Sequence, residues 1–283
     1  MPMLRFLLVV ASAALALSAQ TVPAPVRLPA GVTVQENVPY DTYPQTVMDI
    51  YQPPGPGPHP AMIIIHGGGW TAGQKSGMVG PWVLRYLQKG FVVANVEYRL
   101  AAVAPAPAAV EDALKAANFF IDSARKYGAD PKRVSVTGGS AGGHLALMVG
   151  MAPKSAKLGK PVKVRAVINF YGITDVDDQL HGVNERQYAT TWVPAGPDRT
   201  ALARRVSPMT YVRKDVPPIL TVHGDADATV PYEHGVKLTK ALKDAGAEAE
   251  LIPVPKGPHG FPKETLDGLY PQIFEFLKKH GAM

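Results

Sequence analysis

Residues 133–145 read Arg133-Val134-Ser135-Val136-Thr137-Gly138-Gly139-Ser140-Ala141-Gly142-Gly143-His144-Leu145. Arg133 to Thr137 is predicted as a strand, and Ser140 to Met151 as an apolar helix rich in small residues. The turn between them fits the pattern G-x-S-x-G. A serine pinched between strand and helix is presented above the strand end, at the positive end of the helix. So sharp a turn tolerates no bulk beside the serine, which accounts for Gly138, Gly142 and Gly143. The five-residue pattern alone is weak; its strand-turn-helix setting makes Ser140 a candidate nucleophile. The bland alternative is a tight turn without chemistry.

The elements on either side repeat the same theme. Upstream, Val32 to Val38 and Val47 to Tyr51 alternate apolar and polar residues, as half-buried strands do. They are parted by a loop from the strands that follow, because Pro53-Pro54-Gly55-Pro56-Gly57-Pro58 cannot continue one. Ala61 to Ile65 and Phe91 to Val96 are short continuous apolar runs, which suit strands buried on both faces. Val79 to Lys89 and Ala108 to Tyr127 have helical spacing and stop at Gly90 and Gly128. Downstream come strands at Arg165 to Phe170, Pro218 to Val222 and Ala249 to Val254, with helices at Pro231 to Ala245 and Leu269 to Lys279. Strands alternating with helices predict an α/β chain with a mostly parallel sheet covered on both faces. The one long interruption, Gly172 to Val216, reads as an insertion over the site and not as a separate domain.

A serine nucleophile needs a base, an acid and donors for the developing oxyanion. His66-Gly67-Gly68-Gly69-Trp70 follows a predicted buried strand, and its glycines let backbone amides approach a ligand closely. His66 precedes the serine and is expected to position this loop. Of the histidines downstream, His259 alone lies in a loop after the last strand, between Pro258 and Gly260, where an imidazole has room. His144, one helical turn past the serine, is expected to point away. The acid should follow the strand Pro218 to Val222, in His223-Gly224-Asp225-Ala226-Asp227-Ala228-Thr229-Val230-Pro231. Spacing leaves both Asp225 and Asp227 open. An imidazole base implies activity that rises with pH through the ordinary histidine range near ~6.5.

With these motifs the chain resembles the α/β-hydrolase superfamily of esterases and lipases over roughly residues 35–280. It is most similar to the bacterial secreted carboxylesterase and feruloyl-esterase-like branch, related to the hormone-sensitive-lipase-like esterases. The motifs that carry the resemblance are His66 to Trp70, Tyr98-Arg99-Leu100, Gly138 to Leu145, His223 to Pro231 and His259-Gly260-Phe261, in the family's order. The resemblance implies an eight-stranded, mostly parallel sheet flanked by helices on both faces, and hydrolysis of carboxylic esters through an acyl-enzyme. It implies Ser140, Asp227 and His259 as the triad, because the family's acid precedes the x-x-Val-Pro element. It places the oxyanion amides at Gly68, Gly69 and Ala141, with Gly67 as an alternative donor. No cofactor and no metal are expected. Trp70, Tyr188 and Trp192 are the aromatic candidates for substrate contact. The helical cap that hormone-sensitive-lipase relatives carry before the glycine-rich motif has no counterpart here, so short acyl groups are expected. Acyl esters of plant carbohydrate are a candidate substrate, and a serine peptidase or amidase on the same triad is the competing activity. A binding protein that kept the fold would be marked by a missing triad member, and none is missing.

Composition narrows the partners. The 283 residues are 46% apolar and 18% charged, with a formal net charge of +6 from 29 Lys plus Arg against 23 Asp plus Glu. The basic residues are scattered and not interleaved with aromatics, so no nucleic-acid partner is expected. The absence of cysteine excludes disulfides, thiolate metal sites and a cysteine nucleophile. At the N-terminus Arg5 precedes the apolar run Phe6 to Leu17 and the small pair Ser18-Ala19. That order predicts a signal peptide over residues 1–19, with Ser18 as an alternative cleavage site, and an exported protein. Residues 20–283 would then form a single α/β-hydrolase domain with a small insertion at about 172–216. No membrane anchor is expected after signal removal. The partner is expected to be a small-molecule or carbohydrate-linked ester.

Overall fold

Alternate residues along each central strand enter two different cores. Ala61, Ile63 and Ile65 pack on one side of the sheet and Met62 and Ile64 on the other; Val92, Ala94 and Val96 divide from Val93 in the same way. That is why these strands read as continuous apolar runs without alternation. The computed structural model describes residues 26–283; the predicted signal peptide, residues 1–19, lies outside them.

Among the described residues, eight strands form one sheet: β1 (Thr33–Pro39), β2 (Val47–Gln52), β3 (His59–Ile65), β4 (Val92–Val96), β5 (Ala129–Gly139), β6 (Val167–Phe170), β7 (Ile219–Gly224) and β8 (Ala249–Val254). Their spatial order is β1-β2-β4-β3-β5-β6-β7-β8. β2 is antiparallel to both β1 and β4, and every pairing from β4 to β8 is parallel. The helices, in chain order, are α1 (Leu84–Leu87), α2 (Ala108–Ser123), α3 (Ala141–Met151), α4 (Gln187–Trp192), α5 (Arg199–Arg205), α6 (Glu233–Asp244) and α7 (Lys263–Lys279). α2, α3 and α6 cover one face, through residues such as Val110, Leu145 and Leu238. α1 and α7 cover the other, through Tyr86, Leu87, Ile273 and Phe276. Parallel neighbours require a crossover, and right-handed crossovers deliver helices to both faces. No helix of the described residues is long and apolar enough to cross a membrane.

Residues 172–216 are not a separate body. Ile173, Val176, Leu180, Ala189 and Val206 join the core beneath α2 and α3. The Tyr98-Arg99-Leu100 motif ties β4 to α2. Arg99 grips Asp112 through Nε at 2.8 Å and Nη2 at 2.6 Å, and its backbone N–H donates to the same carboxylate at 3.0 Å. A buried carboxylate so completely paired avoids the cost of isolated charge.

α7 begins at Lys263, well before the predicted Leu269. Gly268 and Pro271 disguise it, since proline forfeits a backbone donor in a helix interior. Tertiary packing overrides that local weakness: Leu266, Leu269, Tyr270 and Ile273 bury one face. On the exposed side Lys263 pairs with Asp267 at 2.6 Å across one turn.

Candidate active site

The strand-to-helix turn leaves Ser140 at φ 58° and ψ −125°, a strained conformation for a residue with a Cβ. Two backbone bonds hold it there. The Ser140 N–H donates to the Phe170 carbonyl at 3.0 Å, and the His144 N–H donates to the Ser140 carbonyl at 3.0 Å, closing the first turn of α3. Gly142 is obligatory, because a Cβ there would collide with the carbonyl oxygens of Ile65 and His66 at the end of β3.

Ser140 Oγ lies 2.9 Å from Nε2 of His259, and Nδ1 of His259 lies 2.8 Å from Oδ2 of Asp227. The strand ends of β5, β7 and β8 supply the three groups, so residues far apart in sequence meet at one edge of the sheet. The Asp227 side chain is fully buried, whereas that of His259 keeps 23% exposure. Asp227 Oδ1 accepts the backbone N–H groups of Thr229 at 2.8 Å and Val230 at 2.9 Å. His223 Nε2 donates to the Val230 carbonyl at 3.0 Å and sits 3.4 Å from Asp227 Oδ2. Burial works against ionising this carboxyl, but bonds from His223, His259 and the Val230 N–H overrule it and hold it well below the usual carboxylate range. Asp225 has a different occupation. It is exposed, and its carboxylate accepts the Lys256 N–H at 2.5 Å, bracing the turn after β8.

The glycine-rich loop leaves β3 and runs alongside the elbow. Among the described residues, the N–H groups of Gly68 and Gly69 donate to no protein acceptor. Gly69 has φ 57°, and a Cβ there would come 2.6 Å from Cβ of Tyr188. Ala141, whose N–H begins α3, directly follows Ser140. His66 braces the loop. Its Nδ1 lies 2.7 Å from the Gly67 carbonyl and its Nε2 2.9 Å from Glu97, while its ring stacks on Tyr98 at 4.3 Å. Holding the Gly67 carbonyl orients the peptide whose other end is the Gly68 N–H.

Serine and histidine open into a cavity of about 380 Å³ lined by Gly67, Gly68, Gly69, Met78, Trp82, Tyr171, Tyr188 and Thr229, among others. Trp82 lies in a short π-helical turn, Val79–Val83, and packs edge-on against Phe170 at 4.6 Å. Met78, Trp82 and Tyr171 were not anticipated as cavity residues. A segment with helical spacing announces a buried face but not which strand end it overhangs.

Two aromatic expectations are corrected. Trp70 and Trp192 are both fully buried and line no part of this cavity. They stack on each other at 4.0 Å, and the Trp70 indole N–H donates to His144 Nδ1 at 3.1 Å. A buried indole needs such a partner, and His144, whose Nε2 donates to the Val206 carbonyl at 2.6 Å, provides it inside the core. His144 does point away from the serine. Tyr188 alone of the three faces the cavity, its hydroxyl donating to Gln179 Oε1 at 2.7 Å.

The BD-FAE family model matches residues 48–242 and ends before His259. Esterase LipQ of Mycobacterium tuberculosis is 27% identical over 237 residues, covering 77% of this chain and 54% of LipQ. Carboxylesterase NlhH of the same organism is 27% identical over 242 residues, covering 80% of this chain and 74% of NlhH. The chain thus spans about half the length of LipQ and of the related LipM and LipC. Among solved structures, a truncated carbohydrate esterase from gut microbiota superposes with a TM-score of 0.77 at 28% identity, covering 89% of this chain and 97% of that one. Esterase 2 of Thermogutta terrifontis gives 0.73 at 27% identity, covering 90% and 94%. The sheet order, the elbow and the matched segment together assign the α/β-hydrolase fold, and the chain belongs to the BD-FAE family.

Proposed function

We propose that this protein is a serine carboxylesterase that hydrolyses short-acyl esters, including acyl groups carried on carbohydrate. The observation that carries the reading is the unbroken relay from Ser140 Oγ through His259 to Asp227, at 2.9 and 2.8 Å, opening on a glycine-lined cavity. The ring is oriented with its Nδ1–H toward Asp227, leaving Nε2 to accept the serine proton. Ser140 then attacks the ester carbonyl. The amides of Gly68, Gly69 and Ala141 receive the negative charge that develops on its oxygen. The bond to the alcohol breaks as His259 returns the proton to the departing alkoxide. A water, deprotonated by the same imidazole, attacks the acyl-serine and frees the acid.

Asp227 is suited to its part because it stays anionic while the imidazole becomes charged. Tyr188, held by its bond to Gln179, walls part of the cleft, as do Met78 and Trp82. The cavity's size, toward the lower end of ordinary ligand sites, supports small acyl groups. The similarity to a carbohydrate esterase supports the sugar-linked class. Export, with the mature chain beginning near Gln20, completes the proposal.

The test is acetate release from p-nitrophenyl acetate by wild type and Ser140→Ala, alongside an aminoacyl anilide. Wild type is expected to cleave the ester and spare the anilide, and the variant to lose on the order of 10⁴–10⁶ in kcat with its fold intact. Clean variant protein retaining a few per cent of activity would refute Ser140 as nucleophile; preferential anilide cleavage would make the protein an amidase.

A further inference from the structure

Tyr171 follows β6 immediately and is held in an unusual way. Its φ is 39°, in the left-handed region that a bulky side chain rarely enters, and its N–H donates to the Val222 carbonyl at 2.8 Å. The ring stands edge-on to His259 at 4.9 Å and to Phe261 at 5.1 Å. The hydroxyl reaches over Gly139, where a Cβ would lie 2.9 Å from it. The residue is only 8% exposed, and the surface it keeps lines the Ser140 cavity.

No hydrogen bond to that hydroxyl is found among the described residues, and its oxygen is not sealed from the cleft. The other phenol on the cavity, Tyr188, is already committed to Gln179. The ring is held by its contacts with His259 and Phe261, and the uncommitted hydroxyl is open to the cleft and able to meet a ligand. Burial, reinforced by the nearby charge of Asp227, raises its pKa, so it remains a hydrogen-bond donor at any working pH.

The chemistry says what it meets. The alcohol oxygen of the substrate must come within reach of His259 Nε2 to be protonated as it leaves. Tyr171 lies against that imidazole and lines the same cavity, on the path of the departing alcohol. We propose that Tyr171 is a specificity-determining residue whose hydroxyl bonds an oxygen on the carbon next to the ester, selecting acylated polyols and sugars over esters of simple alcohols. This rests on the esterase reading above.

Tyr171→Phe removes the donor and keeps the ring. The substrates are a methyl mono-O-acetyl-xyloside and cyclohexyl acetate, which present rings of similar size with and without neighbouring oxygens. Wild type is expected to favour the sugar ester. The variant should lose roughly tenfold in the ratio of kcat/KM for the sugar ester to kcat/KM for cyclohexyl acetate, the worth of one hydrogen bond. Methyl xyloside itself, as a competitive inhibitor of p-nitrophenyl acetate cleavage, should weaken by a similar factor. Equal losses on both esters, or no loss on either, would overturn the assignment. Wild type that cleaves cyclohexyl acetate but not the sugar ester would also overturn it and leave the esterase reading standing. Wild type that cleaves neither ester, nor p-nitrophenyl acetate, would remove the esterase reading itself.

Discussion

Acidification should destabilise this fold through His144 before it touches any carboxylate. The ring is fully buried, accepts the Trp70 indole N–H at Nδ1 and donates from Nε2 to Val206. Only the neutral ring with its hydrogen on Nε2 satisfies both bonds. A second proton on Nδ1 would face the indole N–H, donor against donor. Burial pushes the imidazole from its ordinary 6.5 down to about 4, with the Val206 bond opposing. The unfolded chain therefore takes up the proton more readily than the folded one. The stability tied to the neutral ring is full above about 6.5 and drains away as the pH falls toward 4. At ~1.36 kcal/mol per pH unit the whole window is worth about 3 kcal/mol, and roughly 2 kcal/mol is gone by pH 5. For a chain of this length that lowers Tm by roughly 4 °C. His144→Gln keeps a donor for Val206 but cannot titrate. It should melt lower than wild type at pH 7.5 and close most of that gap by pH 5. His234, also lowered by burial, titrates in both proteins and cancels in the comparison. Asp227 is held too low to contribute until the pH falls below the ordinary carboxylate range. Thermal melts of the two proteins across this range measure the gap; a gap that stays constant from pH 7.5 to 5 would refute the reasoning.

Asp227→Asn should cost on the order of 10³–10⁴ in kcat, because an amide neither stabilises the imidazolium nor enforces its tautomer. Asp225→Asn should stay within severalfold of wild type, and a larger loss at Asp225 in parallel kinetics would reverse the assignment. Across p-nitrophenyl esters, kcat/KM should peak between acetyl and about butyryl, since a further methylene gains its ~0.8 kcal/mol only when buried; an optimum at octanoyl or longer would contradict the walls formed by Met78 and Trp82. Mass spectrometry of the protein from its native host should find it exported, with an N-terminus near Gln20, and a full-length cytoplasmic product would exclude the signal peptide.

The elbow and the glycine-rich loop were legible because their requirements are local. Ser140 needs small neighbours within two residues, and those neighbours are written beside it. Chain order then singled out His259, and the two-core alternation of β3 and β4 follows from their unbroken apolar runs. Asp225 and Asp227 stand two residues apart in one loop with the same charge, and residue spacing could not choose between them. The family resemblance favoured Asp227, and the fold parts the two: one carboxylate is sealed beneath His259, the other is exposed and bonded to Lys256.

The aromatic residues mark the boundary most clearly. Trp70 beside three glycines has the look of a substrate platform, yet Trp192 and His144 arrive from distant segments to stack on it and bond it, and the indole turns into the core. Tyr171 carries no motif, yet the crossing of β6 beside β7 sets its ring against His259 and its hydroxyl into the cleft. From sequence alone came the fold class, the candidate nucleophile, its candidate base and the loop beside them, because glycine sterics and strand periodicity act between near neighbours. Which carboxylate is buried, and which aromatic ring faces the cleft, was decided only by tertiary structure, because burial and hydrogen-bond partnership belong to segments that meet through folding.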